Sequence, residues 1–235
     1  MQNSNENPLQ CLFLPKRKIK GLKTKGIIFD FNGTLFWDTS YHDLAWDIFL
    51  ENHQIKLTNQ EKAKKIHGKS NADILKGIFS KEISNEDIFE MTMEKEKIYH
   101  NICLKTKMEY APGAIEFIKY LRLNNIKYTI ATSSGWENID FYIENMDLEK
   151  WFDIDLLVYN DGSFRGKPYP DIFIKAIDKL QIKGENILIF EDSIAGIQAA
   201  EYSSAGQIIV VNSNNGNYEK LPYQVITNFN QVKLL

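Results

Sequence analysis

Three short apolar runs in this chain each stop at a cluster of polar side chains, and this pattern constrains the fold more than any other feature. Residues 26–30 read GIIFD and break at once into Asn32, Gly33 and Thr34. Residues 126–131 read IKYTIA and stop at Thr132, Ser133 and Ser134, and residues 186–190 read NILIF and stop at Glu191, Asp192 and Ser193. Runs of this length, rich in β-branched and aromatic residues and bounded by turn formers, are expected to be buried strands. Helical patterns separate them: one opens at Ala111-Pro112-Gly113 and runs to about Asn124, and others cover 137–146, 171–180 and 194–202. Further strands are expected at 155–158, 208–211 and 225–226. This alternation implies an α/β fold with a doubly wound parallel sheet. All its strands point the same way, so the three polar clusters should converge on one rim, where open α/β sheets bind ligands.

Residues 37–108 break the rhythm. Tyr41, Leu44, Ala45, Ile48 and Phe49, and later Ile88, Met91, Ile98 and Ile102, recur at helical spacing with no convincing strand. Ser70, three residues before Asp73, is the expected N-cap of a helix entered from the stretch His67 to Leu75. A segment this long is too large for a connection and is expected to be an all-α second domain. The core then comprises 23–36 and 109–235. Residues 1–22, polar and then basic through Lys16, Arg17, Lys18 and Lys20, are expected to form a poorly ordered tail.

Composition narrows the function. A net charge of −3 lacks the Lys and Arg excess of a nucleic-acid or membrane-surface protein, which leaves small-molecule chemistry. Cys11 and Cys103 match no metal or redox spacing and are expected to be free thiols in a reducing cytoplasm. No apolar run approaches the ~20 residues that span a bilayer, and the polar first ten residues do not read as a signal peptide.

The residue types at the expected rim suit phosphoryl transfer. A carboxylate such as Asp30 can attack phosphorus and split hydrolysis into two easier steps. Two anions meet in that attack, so a cation is needed, and Mg²⁺ suits the acids Asp30, Glu191 and Asp192. Thr132 and Ser133, with the N–H groups that open the next helix, would bind the phosphate, and Lys167 in the Gly-Lys-Pro turn would add a positive charge.

These segments resemble the four motifs of the haloacid dehalogenase-like hydrolase superfamily, in the branch similar to β-phosphoglucomutase and small sugar-phosphate phosphatases. The resemblance runs from Gly26 to the C-terminus, and GKPYPDIF (166–173) with FEDSIAGIQAA (190–200) is its most specific part. It implies a helical cap at 37–108, a Mg²⁺ cofactor, and hydrolysis of a small phosphate monoester by a protein expected to act as a monomer. By residue, it implies that Asp30 is the nucleophile and Thr132 the phosphate-binding hydroxyl. Lys167 would be the conserved lysine, and Asp30, Glu191, Asp192 and the backbone carbonyl of Asn32 would hold the metal. The family usually has Asp where this chain has Asn32, and that Asp protonates the leaving group and activates water. General acid/base help of this kind is worth about 10² to 10⁴ in rate. Slow turnover, acyl-phosphate substrates, or a proton carrier from the cap would each accommodate the amide. His42, at the cap entry, is the candidate carrier and substrate contact. A phosphosugar mutase, a phosphate-binding regulatory module and a phospho-accepting receiver are the alternative readings.

Other residues have plainer expectations. Asp38 could line the cap hinge or cap a helix, and Lys69 and Asn71 could touch substrate or cap a helix. Arg165, His53, His67 and His100 are expected at the surface, and Trp37, Trp46, Phe49 and Phe79 in core and hinge packing.

Overall fold

The computed structural model describes residues 24–66, 69–79 and 83–232, so the expectations for 1–22, Cys11 and His67 fall outside the described residues. Five parallel strands form one sheet: β1 (Gly26–Phe29), β2 (Lys127–Ile130), β3 (Ile187–Glu191), β4 (Gln207–Val211) and β5 (Gln224–Ile226), in the order β2-β1-β3-β4-β5. Side chains alternate across a strand, and a parallel sheet is covered on both faces, so near-continuous apolar runs are the sequences that form it. Ile27, Phe29, Leu188 and Phe190 enter one apolar cluster, while Ile28, Ile187 and Ile189 enter a second on the other face. Helices α5 (Ala114–Leu123) and α6 (Trp136–Met146) contribute to the first cluster. Helices α8 (Asp171–Leu180) and α9 (Ile194–Tyr202) contribute to the second. A short α7 (Leu148–Trp151) follows α6. The fold is therefore the doubly wound α/β architecture.

One expected strand is absent as such. Residues 153–158 read DIDLLV, an alternation that suits a strand at 155–158, but Ile154–Leu156 is a 3₁₀ turn, and only Val158 bridges the sheet, to Ala131. The cause is local: the Asp153 carboxylate accepts the Asp155 N–H at 3.0 Å, and such side-chain bonds compete with a strand ladder.

Among the described residues between β1 and α5 lie four helices, α1 (Thr39–Asn52), α2 (Asn59–Lys65), α3 (Asn71–Ile78) and α4 (Asn85–Cys103). Trp46, Phe49, Leu50, Ile66, Ile74, Leu75 and Ile88 form an apolar cluster of their own, with Phe79 packed against it, whereas Ala45, Tyr99 and Cys103 join the cluster of the sheet. The Ser70 side chain caps α3 by accepting the Asp73 N–H. The chain leaves and re-enters the sheet side by side: Phe36 bridges Tyr110, and the Ala111 N–H donates to the Leu35 carbonyl at 2.7 Å. No helix among the described residues is long and apolar enough to cross a membrane.

Candidate active site

The strand order fixes where a site can form. From β1 the chain passes to β2 on one side, and from β2 it returns to β3 on the other, so a crevice opens at the carboxyl ends of β1 and β3. Asp30 follows β1 directly and Glu191 ends β3, and in-register pairing of Phe29 with Phe190 makes these acids neighbours. Asp192 follows. One carboxylate oxygen from each of Asp30, Glu191 and Asp192 lies within 4.8 Å of the others. The turn after Asp30 closes over them: Gly33 has φ +79°, and a Cβ there would fall inside the Asp192 carboxylate. Gly196 in α9 likewise leaves room for the Glu191 carboxylate, which accepts the Ser193 N–H at 2.6 Å.

Lys167, 4 % exposed, donates to Asp30 Oδ1 at 2.5 Å and also to Glu191 Oε1. Burial disfavours its charge, yet Asp30 and Glu191 outweigh that and hold its ammonium above the usual lysine range. Three buried carboxylates facing one ammonium would leave two negative charges in excess if all were ionised. Burial raises the Asp30 carboxyl to about 7, against the pull of Lys167 and with repulsion from Glu191 added. Burial and repulsion from Glu191 and Asp30 push Asp192 well above the usual carboxylate range. A cluster of oxygen donors with unbalanced negative charge fits a hard divalent cation, which would discharge that repulsion.

Asn32 stands in the same turn and is fully engaged. Asp38 can only accept, so the Asn32 amide nitrogen faces it, 2.7 Å from Oδ2, and lies 2.7 Å from the Tyr142 hydroxyl. The amide oxygen then accepts the hydroxyls of Ser134 at 2.8 Å and Thr132 at 3.3 Å. Ser133 Oγ is buried with no partner, at the wall of the same cavity. His42 Nε2 lies 3.3 Å from both the Asn32 amide nitrogen and Asp38 Oδ2, while its Nδ1 lies 2.8 Å from Lys95 Nζ. An ammonium only donates, so Nδ1 is the accepting nitrogen and Nε2 carries the proton. Asn32, Asp38, His42, Lys95, Thr132, Ser133 and Ser134 line a cavity of about 530 Å³ between the sheet rim and the helical insert.

All the residues singled out in the sequence, Asp30, Asn32, His42, Thr132, Ser133, Lys167, Glu191 and Asp192, therefore meet at one cavity. The sequence leaves several neighbours open or unread. Asp38, expected to line the cap hinge or to cap a helix, lines the cavity and occupies the N-cap position of α1 without making a side-chain cap bond. It is fully buried, accepts the Gly33 N–H at 3.0 Å and the Tyr99 hydroxyl at 2.5 Å, and is held below the usual carboxylate range because His42, Tyr99 and Asn32 together overcome burial. Lys95 and Glu96 lie in EKEKIYH, which reads as a solvated charge run, yet they are 1 % and 2 % exposed. The only signal was positional: 88, 95, 99 and 103 trace the buried stripe of α4.

Among the residues with plainer expectations, His100 corrects its surface placement. It is half-buried, stacks on Phe141 at 3.9 Å and bonds Asn138 Oδ1 at 2.7 Å. His53, partly exposed, pairs with Glu94 at 3.0 Å. Exposed Arg165 pairs with Asp171 at 2.8 Å, away from the cavity wall. Lys69 and Asn71 line the cavity.

Comparison with known proteins shows the family and the fold. A family model described as haloacid dehalogenase-like hydrolase matches residues 24–203. The chain is 30 % identical over 123 residues to the phosphorylated carbohydrates phosphatase of Thermotoga maritima, covering 52 % of this chain and 54 % of that one. It is 28 % identical over 192 residues to the β-phosphoglucomutase of Bacillus subtilis, covering 79 % and 82 %. It thus spans about half the length of the curated phosphatases it matches. The crystal structure of a HAD hydrolase, family IA, variant 3, from Entamoeba histolytica superposes with a TM-score of 0.79 at 36 % identity, covering 89 % of this chain and 96 % of that one.

Proposed function

The chain belongs to the haloacid dehalogenase-like hydrolases, and from that premise we propose that it hydrolyses a small phosphate monoester through a phosphorylated Asp30. The observation that carries this reading is the Asp30 carboxylate, anchored by Lys167 at 2.5 Å and grouped with Glu191 and Asp192 in the wall of the cavity. Asp30 Oδ1 is held by Lys167, which leaves the other oxygen as the attacking atom. Thr132 and Ser133 receive the phosphoryl oxygens, with the unpartnered Ser133 hydroxyl free to donate. Lys167 offsets charge on those oxygens as the bond to the leaving group breaks.

Asp30, Glu191, Asp192 and the Asn32 backbone carbonyl would hold Mg²⁺. When bound, that ion neutralises the meeting anions and orients the phosphate. Helices α1–α4 act as a cap whose residues exclude water from the cavity. Asn32 positions Thr132 and Ser134 through its amide oxygen and cannot carry a proton. His42 Nε2, 3.3 Å from that amide, is the group placed to pass a proton to the leaving oxygen, and Lys95 on Nδ1 replenishes it. A mutase reading rests on the B. subtilis relative, but returning the phosphate to a sugar would demand more of the proton transfer that Asn32 lacks.

The test is Mg²⁺-dependent release of phosphate from aryl, acyl and alkyl phosphates by wild type and Asp30→Asn. Turnover in wild type and its loss in a folded Asp30→Asn variant are expected. Equal turnover in the two would refute the nucleophile assignment, and no turnover of any phosphate by wild type would refute the phosphatase reading.

A further inference from the structure

The cavity has a second polar wall, supplied by the helical insert. Glu96 on α4 is 2 % exposed, and its Oε1 accepts both the Asn71 amide at 2.6 Å and Lys95 Nζ at 3.1 Å. Its other oxygen, Oε2, is buried with no partner, although Glu96 lines the cavity. A buried carboxylate oxygen left without a donor is costly, and native proteins rarely keep one without a use.

Its surroundings specify what it would take. A carboxylate only accepts, so the missing group is a donor. Lys95 already balances the charge of Glu96, and its ammonium is also committed to His42 at 2.8 Å, so a second cation would meet repulsion. A neutral hydroxyl meets none. Trp46 and Ile74 line the same cavity and offer apolar surface for C–H groups. A leaving group that joins a hydroxyl to a C–H face suits both.

We propose that Glu96 is a specificity residue that accepts a hydrogen bond from a hydroxyl of the leaving group, so that among phosphate monoesters the protein selects a leaving group with a second hydroxyl at one fixed position over a hydroxyl-free or anionic alcohol. This deepens the phosphatase reading and rests on it. Asn71 and Lys95 both donate to one oxygen, so they fix the Glu96 rotamer and leave Oε2 as the oxygen without a donor.

The experiment measures kcat/KM for hexose phosphates and for their singly deoxygenated and deoxyfluorinated analogues. Fluorine can accept a weak hydrogen bond but cannot donate one. In wild type, one position should stand out, where loss of the hydroxyl or its replacement by fluorine lowers kcat/KM by about 10- to 100-fold, the range for a hydrogen bond to a charged group. In Glu96→Gln the two donors keep the amide oxygen, the –NH₂ faces the ligand, and the penalty at that position should shrink by about tenfold. A wild type indifferent to every hydroxyl overturns the proposal without recourse to any variant. So does an undiminished penalty in a folded Glu96→Gln protein. If wild type releases phosphate from none of the esters, the phosphatase reading itself fails, and that outcome is separate because it appears before any analogue is compared.

Discussion

Replacing Asn32 by Asp restores the residue type usual at this position in the family, but the structure predicts a conditional gain. The Asn32 amide nitrogen donates to Asp38 Oδ2 at 2.7 Å. A carboxylate placed there would face a second, fully buried carboxylate across a hydrogen-bond distance. Two unit charges ~4 Å apart at an effective dielectric of about 20 repel by about 4 kcal/mol, so the pair keeps one proton through neutral pH. That proton bridges the introduced carboxyl and Asp38 where the amide N–H now lies, and the Thr132 and Ser134 hydroxyls still have an oxygen to bond. The Asn32→Asp variant would thus hold a protonated acid beside the leaving group at neutral pH and below. For an alkyl phosphate, whose departing alkoxide needs a proton, kcat should rise by about 10- to 10⁴-fold. For an acyl phosphate, whose carboxylate leaves unaided, it should change far less. Raising the pH removes the shared proton, so the alkyl advantage should fall away and the variant should lose stability there relative to wild type. The assay is kcat against pH for one alkyl and one acyl phosphate with both proteins. If the two substrates respond equally, or the alkyl rate does not rise at any pH, the account of proton transfer at this position is wrong.

Three further outcomes are expected. Mg²⁺ should raise the thermal midpoint of wild type in a concentration-dependent way, and Asp192→Asn should shift that dependence by about tenfold or more to higher Mg²⁺; an unchanged response would remove Asp192 from the metal site. Glu96 is held below the usual carboxylate range because Lys95, His42 and Asn71 overcome the cost of burial. Its contribution to stability is therefore present above its ordinary pKa of 4.5 and is lost as pH falls through the lower folded value. The difference in urea midpoint between wild type and Glu96→Gln should accordingly narrow below about pH 4.5, and a constant difference would contradict this. Phe29→Ala removes a fully buried ring that stacks on Phe190 at 5.2 Å and meets Phe117, Phe152 and Phe229 edge-on or tilted. It should cost about 3–5 kcal/mol in denaturant unfolding, and a loss below about 1 kcal/mol would mean that this cluster does not anchor the sheet.

The sheet and the acid cluster could be read from the sequence because both follow local rules. A strand buried on both faces must be apolar along its length, and a parallel sheet sends every strand end to one rim, so Asp30, Thr132 and Glu191 were legible as neighbours. The failures arise where a local pattern fits two structures. DIDLLV alternates as a strand would, but Asp153 closes a turn on itself. Asp38 precedes α1 as an N-cap would, yet its carboxylate turns inward to Asn32, Gly33 and Tyr99. Lys95 and Glu96 pair with each other at 3.1 Å, but the groups that complete their compensation, His42 and Asn71, come from other helices, so the charge run itself does not show their burial and only the place of Lys95 on the buried stripe of α4 does. A buried charge is hard to read from sequence when part of its compensation lies on distant segments.

The packing beneath the rim also explains how the charges above it keep their spacing. Phe29 and Phe190 are in-register partners, their rings stack at 5.2 Å, and the Asp30 N–H donates to the Phe190 carbonyl at 3.0 Å. Asp30 and Glu191 are the next residues after each ring along β1 and β3, so the aromatic pair sets the distance between the acids. A one-residue slip would turn Phe29 toward the face now filled by Ile28 and Ile189, and would carry Asp30 to the opposite side of its strand. Repulsion among Asp30, Glu191 and Asp192 favours such movement, since each would gain solvation by separating. The burial of Phe29, Phe117, Phe190 and Phe229 opposes it, and a core of that size outweighs the strain of three neighbouring acids. The Phe29 cluster is thus part of the site's mechanism as well as of its stability: a variant that loosens it should lose Mg²⁺ affinity before it unfolds.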